Sequence, residues 1–200
     1  MIEKGHYGLA ARLYDLLSGM LQHWGVKSKV VELCRAGRQT SVLDVCTGSG
    51  TFALAFAPHC DEVVGIDTSD WILRAARGRD KQDQVRYIKM DAAHMDFGDD
   101  DFDISLVAFA LHDMTALARK QVLTEMKRVT RGRIVIVDYQ PPANPLRRWL
   151  FLGLARLYDT PQMQDFVRGD FTAELADCGL KVVDKVVLRR GKVAAYVCEK

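Results

Sequence analysis

No apolar run in this sequence approaches the ~20 residues that a membrane-spanning helix needs. Its first residues carry no basic-then-apolar leader, which sets the expectation of a cytoplasmic protein. Five cysteines (Cys34, Cys46, Cys60, Cys178 and Cys198) are scattered and form no C-x-x-C pair. An odd, dispersed set does not suit a disulfide framework, and a reducing compartment is favoured. Charge of one sign is missing too. A net charge of +2 over 200 residues gives no general case for a nucleic-acid partner. Repeats and low-complexity tracts are absent, and no metal is expected. What is left is a composition of 48% hydrophobic and 27% charged residues, ordinary for a soluble globular chain. Its length suits one domain with a full core.

The stretch that organises the rest is 41–53, SVLDVCTGSGTFA. Val42, Leu43 and Val45 form an apolar run that ends in Thr47-Gly48-Ser49-Gly50. This pattern reads as a buried strand, a glycine turn and a helix start near Thr51. The glycines permit a sharp turn and leave no Cβ between backbone and ligand. Free amides of the following helix would face that ligand. Asp44 lies inside the strand, where a carboxylate is costly unless hydrogen-bonded. The run from Gly48 to Ala53 also fits the dinucleotide fingerprint G-x-G-x-x-G/A, with Asp67 at a suitable distance for a ribose.

Before that strand, Leu9, Leu13, Leu16, Leu17 and Met20 recur at helical spacing, as do Val30, Val31, Leu33 and Cys34. Two helices packed on the sheet edge are one reading; a lid is the other. Strands are expected at 42–46, 63–66, 85–90, 103–110 and 133–138. One helix should run from about Thr51 and end by Pro58. Thr68 or Ser69 can cap a second, with Ile72, Ala75 and Ala76 as apolar positions. Thr115 can cap a third, running to about Thr130 and closed by Arg131-Gly132. Polar loops fill 78–84 and the acid-rich 92–101. Alternating strands and helices mean right-handed crossovers and a doubly wound, mostly parallel α/β sheet. The C-terminus departs from this. Runs 180–188 and 193–198 are rich in β-formers and joined by four residues, short enough only for an antiparallel hairpin. A nicotinamide dinucleotide fold would continue with a second βαβαβ half instead.

A longer pattern is more specific than the glycine turn. It runs Asp44-x-x-x-Gly48-x-Gly50, Val63-Val64-Gly65-Ile66-Asp67, then 85–91, then Phe102-Asp103-Ile104-Ser105-Leu106-Val107. This series resembles the class I S-adenosylmethionine-dependent methyltransferases over about 7–198. Within them it looks most like the ubiquinone/menaquinone-biosynthesis C-methyltransferase group. The resemblance implies a single domain over 1–200, with a helical lid at 1–36 and a cofactor-binding core at 37–200. It implies a seven-stranded sheet with an antiparallel C-terminal strand, and S-adenosyl-L-methionine as cofactor. Asp67 would then accept from both ribose hydroxyls, and Asp91 from the adenine amino group, with the Ala92 amide facing the ring. Gly48 and Gly50 would admit the methionine portion, with Asp44 and Thr47 in the same cofactor-binding set. Ala108 and Phe109 would receive its ammonium through a backbone carbonyl. Thr68 and, from the lid, Tyr14 complete the implied set. Blander readings stand beside these: Asp67 as a helix cap, Asp91 as an ordinary loop acid, Trp71 as a partly buried helix aromatic.

His112-Asp113 follows the fourth strand, at the expected substrate mouth. His112 there can be a general base, a cap or a positioning group. Methyl transfer from a sulfonium often needs only alignment and exclusion of water. Tyr139, after the fifth strand, is a second candidate of the same kind. Residues 149–155 are apolar all round and flanked by Arg147, Arg148 and Arg156. Such a segment is buried against the sheet or a twin subunit in a homodimer, lines an apolar pocket, or touches a membrane surface through 146–158. The expected partner is a small-molecule acceptor, hydrophobic and quinol-like or otherwise aromatic. Two other classes compete: an NAD(P)-dependent oxidoreductase, and a non-catalytic cofactor-binding relative of the methyltransferases.

Overall fold

The computed structural model describes residues 24–142, 144–146, 148 and 160–200. Tyr14, most of the expected lid and most of segment 146–158 lie outside the described residues. Strands β1 (Ser41–Val45), β2 (Glu62–Asp67), β3 (Arg86–Lys89), β4 (Phe102–Ala108), β5 (Thr130–Tyr139), β6 (Lys181–Leu188) and β7 (Val193–Glu199) form one sheet. Their order is β3-β2-β1-β4-β5-β7-β6. Strands β1 to β5 pair in parallel, while β7 runs antiparallel to both β5 and β6. The doubly wound reading and the terminal hairpin are thus both present.

Alternation along the strands decides which helix each side chain meets. Val42, Val63, Leu106, Val135 and Val137 face one way, against α1 (Trp24–Cys34), α2 (Ala53–Phe56) and α3 (Asp70–Arg79). Leu43, Val64, Val107, Ile134 and Ile136 face the other, against α4 (Ala116–Val129), α5 (Pro161–Arg168) and α6 (Phe171–Asp177). Side-chain caps start four of these helices. Ser69 accepts from Ile72 N, Thr115 from Ala118 N, Thr160 from Met163 N, and Asp170 from the Thr172 and Ala173 amides.

Two local expectations differ from the structure. The first helix starts at Ala53 and lasts four residues; Thr51 and Phe52 belong to the turn that follows Gly50, whose φ is +75°. Arg131-Gly132 does not close α4. That helix runs straight into β5 at Thr130, and Gly132 lies within the strand, where a Cβ would press on the Asp103 carbonyl. Its lack of a side chain serves the close approach of β4 and β5 at their register shift.

Gly50 is explained by a packing contact as well as by its turn. The side on which a Cβ would stand is filled by Tyr87 of β3, with the ring carbon Cζ only 2.9 Å from that position. The Tyr87 hydroxyl is buried there with no hydrogen-bond partner among the described residues, and burial raises its pKa. Gly50→Ala should lower the melting temperature by at least ~3 °C, from overpacking added to a left-handed φ. Tyr87→Phe should leave it unchanged or raise it, since the hydroxyl gains no bond. Thermal melts of the two single variants and the double variant check both, and the double should recover part of the Gly50→Ala loss.

Candidate active site

Strand register brings the chain's chemistry to one edge of the sheet. Val45 lies beside Ile66 and Val107, Asp67 beside Lys89, and Ala108 beside Val137. The loops leaving β1, β2, β4 and β5 therefore emerge together. Strand order reverses between β1 and β4, and in open parallel sheets ligands occupy the crevice beyond such a point.

Three carboxylates hold these loops. Asp44, only 2% exposed, accepts from Thr47 Oγ1 at 2.6 Å and from Ala53 N at 3.0 Å, both on Oδ2. Burial dominates its electrostatics and pushes its pKa up to about 7, against the two hydrogen bonds that lower it. Asp67 accepts from Gly48 N on one oxygen and Ser69 N on the other, each at 3.0 Å. Arg79 ties the same loop to the end of α3 by donating to Ser49 Oγ at 2.8 Å. Beyond β4, Phe109 adopts φ +54° and its amide donates to Val137 O at 2.8 Å. A 3-10 turn over Leu111–Asp113 follows. Asp138, 1% exposed at the end of β5, accepts from the amides of Leu111 and His112 on Oδ2, and from Tyr139 N and His112 Nδ1 on Oδ1.

Aromatic rings form a row near these ends, Phe52 buried and Phe109 and Tyr139 half-buried. Phe52 and Phe109 have centroids 6.3 Å apart, Phe109 and Tyr139 meet edge-to-face at 5.4 Å, and Tyr139 meets His112 edge-to-face at 4.9 Å. Asp44, Thr47, Gly48 and Asp67 are linked by direct hydrogen bonds or adjacency; Ala108 and Phe109 follow Val107, which pairs with Val45 of β1, and His112 joins the row through Tyr139. Asp91 stands further out, after β3, exposed, with one oxygen taken by Ala93 N at 2.9 Å. Ala92 is buried, Thr68 is exposed, and Trp71 is 53% exposed on α3. Cys46, with φ +56°, has its thiol pushed up to about 12 by burial and neighbouring carboxylates, so it is no nucleophile. Among the described residues no cluster suits a metal ion.

Sequence reasoning missed Asp138. The signal was present: an acid ending an apolar strand, IVIVD, as Asp44 and Asp67 also mark strands. It missed Tyr87 and Arg79 as well, whose roles depend on contacts 37 and 30 residues away in the chain.

Residues 42–133 match the family model of a methyltransferase domain. The chain is 32% identical to a ubiquinone/menaquinone biosynthesis C-methyltransferase of Ectopseudomonas mendocina over 166 residues, which is 77% of this chain and 61% of that protein. It is 37% identical to a demethylmenaquinone methyltransferase of Thermotoga maritima over 142 residues, 66% of this chain and 59% of the relative. The chain belongs to the class I S-adenosylmethionine-dependent methyltransferases. It spans about three fifths of the length of these two relatives. The crystal structure of the YcgJ protein from Bacillus subtilis shares the fold, with TM-score 0.66 at 20% identity, over 86% of this chain and 95% of that one. Among the described residues no helix is long and apolar enough to cross a membrane.

The raised pKa of Asp44 has a calculable sign. Its neutral form favours the fold, so that contribution is complete below the ordinary carboxylate pKa of about 4 and is lost as pH rises to about 7. Asp44→Asn mimics the neutral form and keeps an acceptor. Its melting temperature should exceed that of the wild type by a margin that opens between about pH 4 and 7 and then stays level. Thermal melts across pH 4–9 without cofactor measure this.

Proposed function

We propose that this protein transfers a methyl group from S-adenosylmethionine to a small hydrophobic acceptor bearing an aromatic ring, quinol-like acceptors first. The observation that carries the reading is the row of rings from Phe52 through Phe109 to Tyr139, standing beside the glycine loop at the strand ends. Phe52 is already buried, so the open part of this row is Phe109 and Tyr139; leaving that apolar surface wet forgoes about 25 cal/mol per Å², which a small polar acceptor would not recover. Both curated relatives named above are quinone-pathway methyltransferases by their names, which points the same way.

The residues present fit the cofactor. Each Asp67 oxygen takes one backbone amide and keeps lone-pair capacity for a ribose hydroxyl. Asp44 is a buried carboxylate whose Oδ1 takes no hydrogen bond among the described residues, a natural partner for the methionine ammonium alongside the carbonyls of Ala108 and Phe109. Among the described residues a Cβ on Gly48 would meet only Ile72 Cδ1, at 3.7 Å, which leaves room for a ligand on that side of the loop. Asp91 and Ala92 are assigned to the adenine side, and Thr68 to its flank. When bound, the cofactor supplies an electrophilic methyl on a sulfonium. The protein's part is to align the acceptor and exclude water. A nicotinamide-dependent reading is less well supported, because β7 enters antiparallel between β5 and β6 where a second parallel half would continue.

Asp67→Ala should weaken S-adenosylhomocysteine binding by at least ~10-fold, because hydrogen bonds to a charged group are worth roughly 1.5–3 kcal/mol each. Affinity within twofold of wild type would place the ribose elsewhere. With methyl-labelled cofactor and an acceptor panel, dihydroxyaromatic compounds carrying an alkyl or prenyl tail should be labelled ahead of small polar acceptors. The reverse order would overturn the acceptor class.

A further inference from the structure

We infer that Asp138 is a positioning residue for His112, and that through it His112 Nε2 takes a proton from a hydroxyl on the methyl acceptor. This rests on the methyl-transfer reading above and narrows its acceptor to one with an ionisable hydroxyl. The argument starts from the Asp138 carboxylate. It is 1% exposed and receives three backbone N–H groups, from Leu111 at 3.1 Å, His112 at 3.2 Å and Tyr139 at 2.8 Å. Amides only donate, so the site is built for an ionised, acceptor-only carboxylate. The fourth contact is His112 Nδ1, 2.7 Å from Oδ1. A lone pair aimed at that oxygen would repel it, so Nδ1 carries the hydrogen, and the neutral ring keeps its basic lone pair on Nε2.

Three constraints fix the ring. Asp138 holds Nδ1 and also the backbone of the histidine itself, and Tyr139 packs edge-to-face on the imidazole. The side chain of His112 is 13% exposed. Nε2 lies on the opposite side of the ring, 3.5 Å from Oδ2 of the exposed Asp113. Of the elements packed against this turn, α5 carries Asp165 and Arg168, and β5 carries Arg131 and Arg133 toward its other end; Arg119 of α4 reaches the turn through Met114 O. Arg119 is engaged by Asp165 at 3.0 Å and Glu174 at 2.7 Å, and it donates to Met114 O. Asp138 is thus the carboxylate in closest contact with the imidazole.

The proton balance follows. The acceptor's O–H bond breaks, its proton passes to Nε2, and its electron pair stays on the acceptor. The acceptor oxygen, or the ring carbon beside it, forms the bond to the methyl carbon. The pair of the broken S–C bond remains on sulfur, leaving a neutral thioether. For a ring carbon, the C–H proton is released afterwards as aromaticity returns. The imidazolium that forms faces Asp138, and its proton then leaves to water. Acceptors with no proton to lose, such as thioethers, gain nothing from this pair.

The test reads the tautomer and the pH profile. Protein labelled with ¹⁵N-histidine, with the His112 signal assigned by its loss in His112→Gln, should show the Nδ1–H tautomer. In Asp138→Asn the amide can donate to the ring, so the tautomer should change to Nε2–H. That variant should lose about 100-fold in kcat, within the usual range for general-base catalysis, while S-adenosylhomocysteine affinity stays within threefold. The acid limb of its pH–rate profile should move to lower pH, because the carboxylate that favours the imidazolium is gone. A methylating protein whose wild-type Nε2 carries the hydrogen, or whose profile is unmoved in Asp138→Asn, overturns this inference alone. A protein that methylates no acceptor overturns the methyl-transfer reading and this one together. Should Asp138→Asn fail to fold, the wild-type tautomer still decides.

Discussion

A carboxylate buried at the end of an apolar strand must be met by donors, or the fold loses several kcal/mol. This chain places two buried acids, Asp44 and Asp138, and the half-buried Asp67 at one edge of its sheet and meets each with backbone amides. Asp44 of β1 holds the start of α2 through Ala53 N. Asp67 of β2 holds the loop after β1 through Gly48 N, and Asp138 of β5 holds the turn after β4 through Leu111 and His112. In the last two cases an acid at one strand end fixes the loop that leaves the neighbouring strand. The loops that form the site are therefore set by the sheet.

That arrangement allows strained backbone to persist. Cys46 and Phe109 are non-glycine residues with φ +56° and +54°, at the exits of β1 and β4. Each such residue costs of order 1–3 kcal/mol, and strain of this kind survives where surrounding structure over-determines it. Here the Thr47 and Phe109 amides are held by Ile66 O and Val137 O, both at 2.8 Å. The strain turns the chain sharply at the two strand ends that flank the crevice. The same amide network leaves Asp44 with an Oδ1 that takes no hydrogen bond among the described residues, and sets Asp138 Oδ1 2.7 Å from His112 Nδ1.

Most of the sheet was legible in the sequence because its strands are buried on both faces. Continuous apolar runs such as VVGI and IVIV need no partner to be recognised. The four-residue link at 189–192 forced an antiparallel hairpin for the same reason of pure geometry. The glycine turn and its Asp44 and Asp67 companions were legible as a spacing, and the family model matches that region. What was not legible lies in pairs distant along the chain. Tyr87 against Gly50, Arg79 on Ser49, and Asp138 under His112 are contacts across strands, invisible to local pattern. Gly132 misled because a glycine after a helix resembles a cap, whereas here it lets two strand backbones approach. The most direct test of the account as a whole is calorimetric titration of the purified protein with S-adenosylhomocysteine, NAD and NADP in turn. The account predicts tight binding of S-adenosylhomocysteine and much weaker binding of both dinucleotides; equal or tighter binding of either dinucleotide would contradict it.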